Sequence, residues 1–136
     1  MNQASHTFAW DMFRLQYAEN SGAFLGMGSL LAEDVRFYVL IVAPLLMLLA
    51  LLVYLVKSSK LSQFEVVSLA LICGGGVSNL LDRIYRDGVV VDFMNMGIAS
   101  LRTGIFNFAD MYIMAGVFLM FFEYFRSSKK EEKEIS

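Results

Sequence analysis

The sequence predicts an all-α membrane protein of three spanning helices with a small extended element on one membrane face. Three observations carry this expectation. Apolar residues fill 57% of the 136 positions and mean hydropathy is +0.58, above the roughly 45–50% apolar content of soluble domains. The 20 residues from Phe37 to Val56 carry no charge, and at about 1.5 Å per residue they reach across a hydrocarbon core about 30 Å thick. Two further apolar runs, 66–81 and 105–122, have the composition of spans, the second with Asp110 as its only ionisable residue.

In chain order, residues 1 to about 35 are polar. Asp11, Arg14, Glu19, Glu33 and Asp34 leave no apolar core of the kind a signal peptide needs. This tail is therefore expected either to be translocated by the helix that follows or to sit behind an upstream span outside the chain as given. Asn20-Ser21-Gly22-Ala23-Phe24-Leu25-Gly26-Met27-Gly28 mixes glycine with apolar residues, a composition suited to turns and close backbone approach. With the residues before it, it reads as an extended or hairpin-like element over about 13–28; a flexible glycine linker is the plainer alternative.

Pro44, inside the 37–56 span, predicts a kink or packing notch. Gly74-Gly75-Gly76, in the 66–81 span, predicts close approach of a neighbouring helix. Asn79, Asp82 and Arg86 recur at spacings of three and four, which puts them near one helix face as a polar cluster where the helix leaves the bilayer. For Asp82 and Arg83, a cap ordering the next loop is an equal reading.

Lys57 and Lys60 between the first two spans, and Arg126, Lys129, Lys130 and Lys133 after the third, mark the cytoplasmic side. The stretch 82–104 then lies on the outer face, so Asp92 and the start of the third span share a side. The expected organisation is one membrane-embedded domain over 1–125 and a charged cytoplasmic tail over 126–136.

Several function classes lack the residues they need. The net charge is -2 with no basic aromatic-studded face, so nucleic acid is not an expected partner. His6 is the only histidine, no cluster has zinc-ligand spacing, and no Gly-x-Ser-x-Gly turn presents a nucleophile. The three glycines are not followed by the Lys-Ser/Thr of a phosphate-binding loop, and Cys73 reads as a small buried apolar residue. No metal or cofactor is expected.

Two carboxylates stand out against this background. A charge at the centre of a span costs about 2.5–3.5 kcal/mol, so Asp110 should face protein, with Asn107 one turn earlier on the same face; a helix cap at the membrane interface is the alternative. Asp92, after Val89-Val90-Val91, would alone read as a turn residue. Together the two make a different object. Paired carboxylates in a low dielectric tend to share one proton, so one can take a proton from water while the other donates to a carbonyl or leaving amine. That is peptide hydrolysis without a covalent intermediate. The competing reading is a non-enzymatic transporter or assembly subunit in which Asp110 relays protons and Asp92 is dispensable.

Four motifs in order, Asn20-x-Gly22-Ala23-Phe24, Gly75-Gly76-x-x-Asn79-Leu80-x-Asp82-Arg83, Val90-Val91-Asp92-Phe93 and Phe106-Asn107-x-Ala109-Asp110, resemble those of the lipoprotein signal peptidases, or signal peptidase II. The resemblance covers roughly residues 8 to 125. It implies a bacterial inner-membrane aspartic endopeptidase, multi-pass, that removes signal peptides from diacylglyceryl-modified prolipoproteins by cutting before the lipidated cysteine. It implies Asp92 and Asp110 as the catalytic dyad and Asn20, Gly22, Asn79, Arg83 and Asn107 as support for the site and the substrate backbone. Asp82 carries over as a structural motif residue. The expected partners are the lipidated substrate and membrane lipid, with the chain itself a monomer. The family scaffold has four spans, the first preceding the Asn-x-Gly-Ala element, and this chain begins after that helix, so an N-terminally truncated, inactive peptidase is a further alternative. Ala70-Leu71-Ile72-Cys73-Gly74 loosely resembles the motif such enzymes cut, but it lies deep in a predicted span, which makes the chain enzyme-like rather than substrate-like.

Overall fold

The computed structural model describes residues 5–22, 28 and 30–135, with side chains as far as residue 128. Among the described residues, three helical segments are long and apolar enough to cross a membrane: Glu33–Lys57, Gln63–Tyr85 and Phe108–Ser128. The first comprises α1 (Glu33–Phe37), a π-helical turn (Tyr38–Val42) and α2 (Ala43–Lys57). Pro44 explains the turn. It has no N–H to give to the carbonyl four residues back and its ring crowds that carbonyl, so the backbone widens just upstream instead of breaking.

Helix α3 (Gln63–Tyr85) opens on a capping box in which Ser62 Oγ accepts from the Glu65 amide and Glu65 returns a bond to the Ser62 amide. Helix α4 runs from Phe108 to Ile135. The expected tail from residue 126 is thus a continuation of the last helix. Near that end Glu123 is buried and ion-paired with Arg126 at 2.8 Å, while the Arg126 guanidinium lies 4.8 Å from the Phe64 ring centroid on α3.

Helices α3 and α4 are held together at two glycines. A Cβ on Gly75 would run into the Ala109 carbonyl and stand 2.8 Å from Ile113 Cγ1; one on Gly116 would stand 2.6 Å from the Ser68 carbonyl. Gly76 gives the same clearance to Leu48 on α2, whereas Gly74 faces open space. The backbones approach only because nothing projects between them. Gly75→Val is therefore expected to lower stability by about 1–3 kcal/mol through overpacking. Gly74→Val should stay within about 0.5 kcal/mol of the parent, a contrast that paired thermal unfolding curves in detergent resolve.

The rest is a four-stranded antiparallel sheet in the order β1 (His6–Phe8), β2 (Phe13–Asn20), β3 (Val90–Ile98), β4 (Leu101–Arg102). Strand β2 realises the extended element expected over 13–28 as far as Asn20; Ala23 to Met27 lie outside the described residues. Between Leu15↔Met94 and Ala18↔Asp92 the register advances three residues on β2 against two on β3, so β2 carries a one-residue bulge. Without it Glu19 would oppose Val90; with it Asn20 does, on the face that Asp92 shares two residues along β3. At the far tip of the sheet, Asp11 pairs with Arg14, and Arg102 donates to the Asp11 carbonyl at 2.8 Å and to Asn95. This ties Asp11 into the sheet tip, remote from the end that carries Asp92.

Candidate active site

Asp92 lies within β3 rather than in a turn, and it is 3% exposed. Both of its oxygens are hydrogen-bonded. Asn20 Nδ2 donates to Oδ2 at 2.9 Å from β2, and Asn107 Nδ2 donates to Oδ1 at 2.8 Å from the opposite flank. The second donor is delivered by backbone pairing. Phe106 bridges antiparallel to Met94, donating to the Met94 carbonyl and accepting from the Met94 amide, both at 2.8 Å, so the next residue arrives beside Asp92.

Asp110 stands in the first turn of α4, not mid-span, and one of its oxygens completes a reciprocal cap. The Asn107 amide donates to Asp110 Oδ2 at 3.0 Å, and the Asp110 amide donates to Asn107 Oδ1 at 3.1 Å. This is a capping box built from Asn and Asp. The helix-cap reading of Asp110 and the paired-carboxylate reading therefore describe one geometry. The other oxygen, Oδ1, accepts from Asn79 Nδ2 at 2.9 Å, and Asn79 Oδ1 in turn accepts from Asn107 Nδ2 at 3.0 Å. Asn107 thus joins the two carboxylates both directly and through Asn79. Gly75, one turn before Asn79 on α3 and against the Ala109 carbonyl beside Asp110, is what lets the two side chains meet.

Arg83, one further turn along α3, donates to the Gly22 carbonyl at 2.7 Å and to its own helix at the Asn79 carbonyl, 3.3 Å. Gly22 is itself set by a turn in which its amide donates to Asn20 Oδ1 at 3.0 Å. The buried Nε of Arg83 has no hydrogen-bond partner among the described residues. An unsatisfied buried donor is uncommon and asks for an acceptor. The expected cluster of Asn79, Asp82 and Arg86 is split. Asn79 turns inward to Asp110, whereas Asp82 pairs with Arg86 at 3.2 Å on the outside of the helix, a surface contact of small energetic weight. Spacings of three and four allowed all three to meet, but Asn79 has better partners on α4.

These side chains form the polar end of a cavity of about 360 Å³. Asn20, Asn79, Arg83, Asp92 and Asp110 line one end, and Pro44, Leu48, Ile72, Ile113 and Met114 line the remainder. The wall from the first span, with Leu40 in the π-helical turn and Pro44 and Leu48 in α2, is the part of the cavity that no sequence motif marked. Burial pushes the Asp92 carboxyl above its ordinary pKa, and the neighbouring Asp110 charge adds to this; the Asn20 and Asn107 amides and the Arg83 guanidinium oppose it. A carboxyl disposed to hold a proton, hydrogen-bonded through two amides to a second carboxyl at the mouth of an apolar cavity, is suited to acid–base chemistry on a peptide bond.

The family model described as Signal peptidase (SPase) II matches residues 1–126. The lipoprotein signal peptidase of Halalkalibacterium halodurans is 35% identical over 115 residues, spanning 85% of this chain and 70% of that protein. That of Borrelia duttonii is 31% identical over 116 residues, with 82% of this chain and 66% of that protein covered, so this chain spans about two thirds of that relative's length. The fold is similar to a bacterial membrane enzyme solved in meso at 2.3 Å, with a TM-score of 0.80 and 25% identity over 94% of this chain and 74% of that one. By its motifs, its fold and the extent of the match, the chain belongs to the signal peptidase II family.

Proposed function

We propose that this protein is a membrane aspartic endopeptidase that removes the signal peptide from diacylglyceryl-modified prolipoproteins, cutting before the lipidated cysteine. The observation that carries the reading is the Asp92–Asn107–Asn79–Asp110 hydrogen-bond network at the polar end of an apolar cavity. A signal peptide entering from the bilayer would meet the apolar wall first and the carboxylates last. Water held between the two aspartates attacks the scissile carbonyl carbon and gives its proton to the ionised carboxylate. The protonated carboxyl donates to the carbonyl oxygen, forming a neutral tetrahedral diol. Collapse of the diol breaks the C–N bond as the carboxyl that took the water proton passes it to the departing cysteine nitrogen and the other carboxylate takes a proton from a diol hydroxyl, which restores the starting pair.

The other motif residues hold this arrangement. Asn20 and Asn107 fix the Asp92 rotamer, Asn79 fixes Asp110, and Arg83 anchors the Gly22 turn while its unused Nε faces a role in holding substrate backbone. Gly22 serves through that anchored carbonyl, and Asp82 is a structural residue paired to Arg86. The cations Lys57 and Lys60 between the first two spans, and those beyond the third, support an orientation with the carboxylates on the outer face and the C-terminus in the cytoplasm. The protein would act there as a monomer.

The test is cleavage of a purified diacylglyceryl-prolipoprotein by the protein in lipid or detergent, with product masses determined. The expected result is a single cut immediately before the modified cysteine, and no cut in the unlipidated precursor. Persistent absence of cleavage, or a cut elsewhere, contradicts the reading.

A further inference from the structure

A second groove, about 470 Å³, lies outside the cavity described above and shares Leu40 and Arg83 with it. It runs between the start of α1 and the turn that ends α3, and its rim carries Glu33, Asp34, Arg36 and Asp87. The turn is fixed. Asp87 sits in a left-handed conformation, φ 52°, and the Gly88 amide closes on the Arg83 carbonyl at 2.8 Å. Among the described residues none of these four rim charges is engaged in an ion pair. Arg83, the fifth charge lining the groove, is turned to the Gly22 and Asn79 carbonyls. Three carboxylates therefore line the groove against two guanidiniums, and the charge of Arg83 is also drawn to Asp92, Asp110 and Asp82, which leaves the groove net negative.

A substrate cut at the edge of a membrane changes character at the scissile bond: apolar before it, polar and water-bound after it. The two cavities meet at Arg83, the inner one charged only at its carboxylate end and the outer one carrying a charged rim beside Phe37, Leu40, Ile41 and Ile84, an order that follows that change. Resting on the peptidase reading, we infer that the outer groove takes the substrate segment immediately following the lipidated cysteine and selects for positive charge in its first few residues. Glu33, Asp34 and Asp87 are the specificity-determining side chains. The groove binds through charge rather than touching the reacting atoms, so the selection is expressed in KM more than in kcat.

Two lipidated substrates identical through the cysteine, one continued by Lys at the following positions and one by Asp, test this. Exposed charge pairs are individually weak, so the expected preference for the Lys substrate is about three- to tenfold in kcat/KM, carried by KM and shrinking as salt rises. The triple variant Glu33→Lys, Asp34→Lys, Asp87→Lys is expected to reverse the order. If that variant does not fold, Glu33→Gln, Asp34→Asn, Asp87→Asn should abolish the preference without reversing it. Equal kcat/KM for the two substrates in the parent, or a preference unmoved in the neutralised variant, overturns the inference while leaving the peptidase reading standing. Cleavage of neither substrate by the parent contradicts the peptidase reading, and the inference falls with it.

Discussion

Asp92→Asn is expected to lower the cleavage rate by about 10²–10⁴-fold, the usual contribution of a positioned acid or base, while the fold survives. The substitution keeps size and shape but removes the proton-carrying group. It leaves one oxygen where Asn20 and Asn107 now find two, so one buried bond is lost, at about 1 kcal/mol. Set against that loss is relief from burying a charge, and here pH decides. Burial holds the Asp92 carboxyl above its ordinary value, so the folded state keeps this proton over a range where the unfolded chain has released it. The contribution of Asp92 to stability is then complete below the ordinary carboxylate pKa and declines as pH rises through the folded-state value. The unfolding temperature of the parent relative to Asp92→Asn should fall across that window, read by thermal melts at a series of pH values. A relative stability that rises with pH would mean that Asp92 is instead stabilised as an anion.

Asn107→Ala is expected to be the most damaging single change among the amides. Asn107 caps α4 through its Oδ1 and donates to both Asp92 and Asn79 through its Nδ2. Removing the cap oxygen and leaving buried acceptors unpaired together should cost about 2–4 kcal/mol. With the link between the carboxylates gone, activity should drop about 10²-fold, as small misplacements of reacting groups do. Asn107→Asp separates these effects. It retains an oxygen for the cap but places a third carboxylate against Asp92, so its stability deficit should be small in acid and grow toward neutral pH, with activity lost. Unfolding temperature and kcat/KM measured on both variants check this; parental activity in Asn107→Ala would show that the link between the carboxylates is not needed.

The residues themselves made much of this legible. The three spans follow from hydropathy, which acts over about 20 residues and tolerates boundary error; the helices run past the expected ends except at the start of the third, which begins at Phe108 rather than at 105, because caps such as Ser62–Glu65 and Asn107–Asp110, not composition, set them. Asp92 and Asp110 were legible as a pair because few other side chains could do chemistry at all. What could not be read is what depends on register and tertiary contact. The β2 bulge that turns Asn20 rather than Glu19 toward Asp92 has no local signature. Nor has the division of labour along α3, where Asn79 joins Asp110 while Asp82, three residues on, pairs outward with Arg86. Periodicity places residues on a face but does not say which partner wins. Glu123 and Arg126 escaped because an ion pair between a buried carboxylate and an exposed guanidinium within a helix reads, in sequence, like the start of a charged tail.

The central claim is that Asp92 and Asp110 work as one unit, and a double-mutant cycle of Asp92→Asn and Asp110→Asn tests it most directly. Single-turnover cleavage of a lipidated prolipoprotein would be measured for the parent, each single variant and the double, each shown to be folded by its melting curve. Both single variants are expected to lose nearly all activity and the double to be no worse than either, because groups acting as a unit are not additive. A parental rate in either single variant would contradict it.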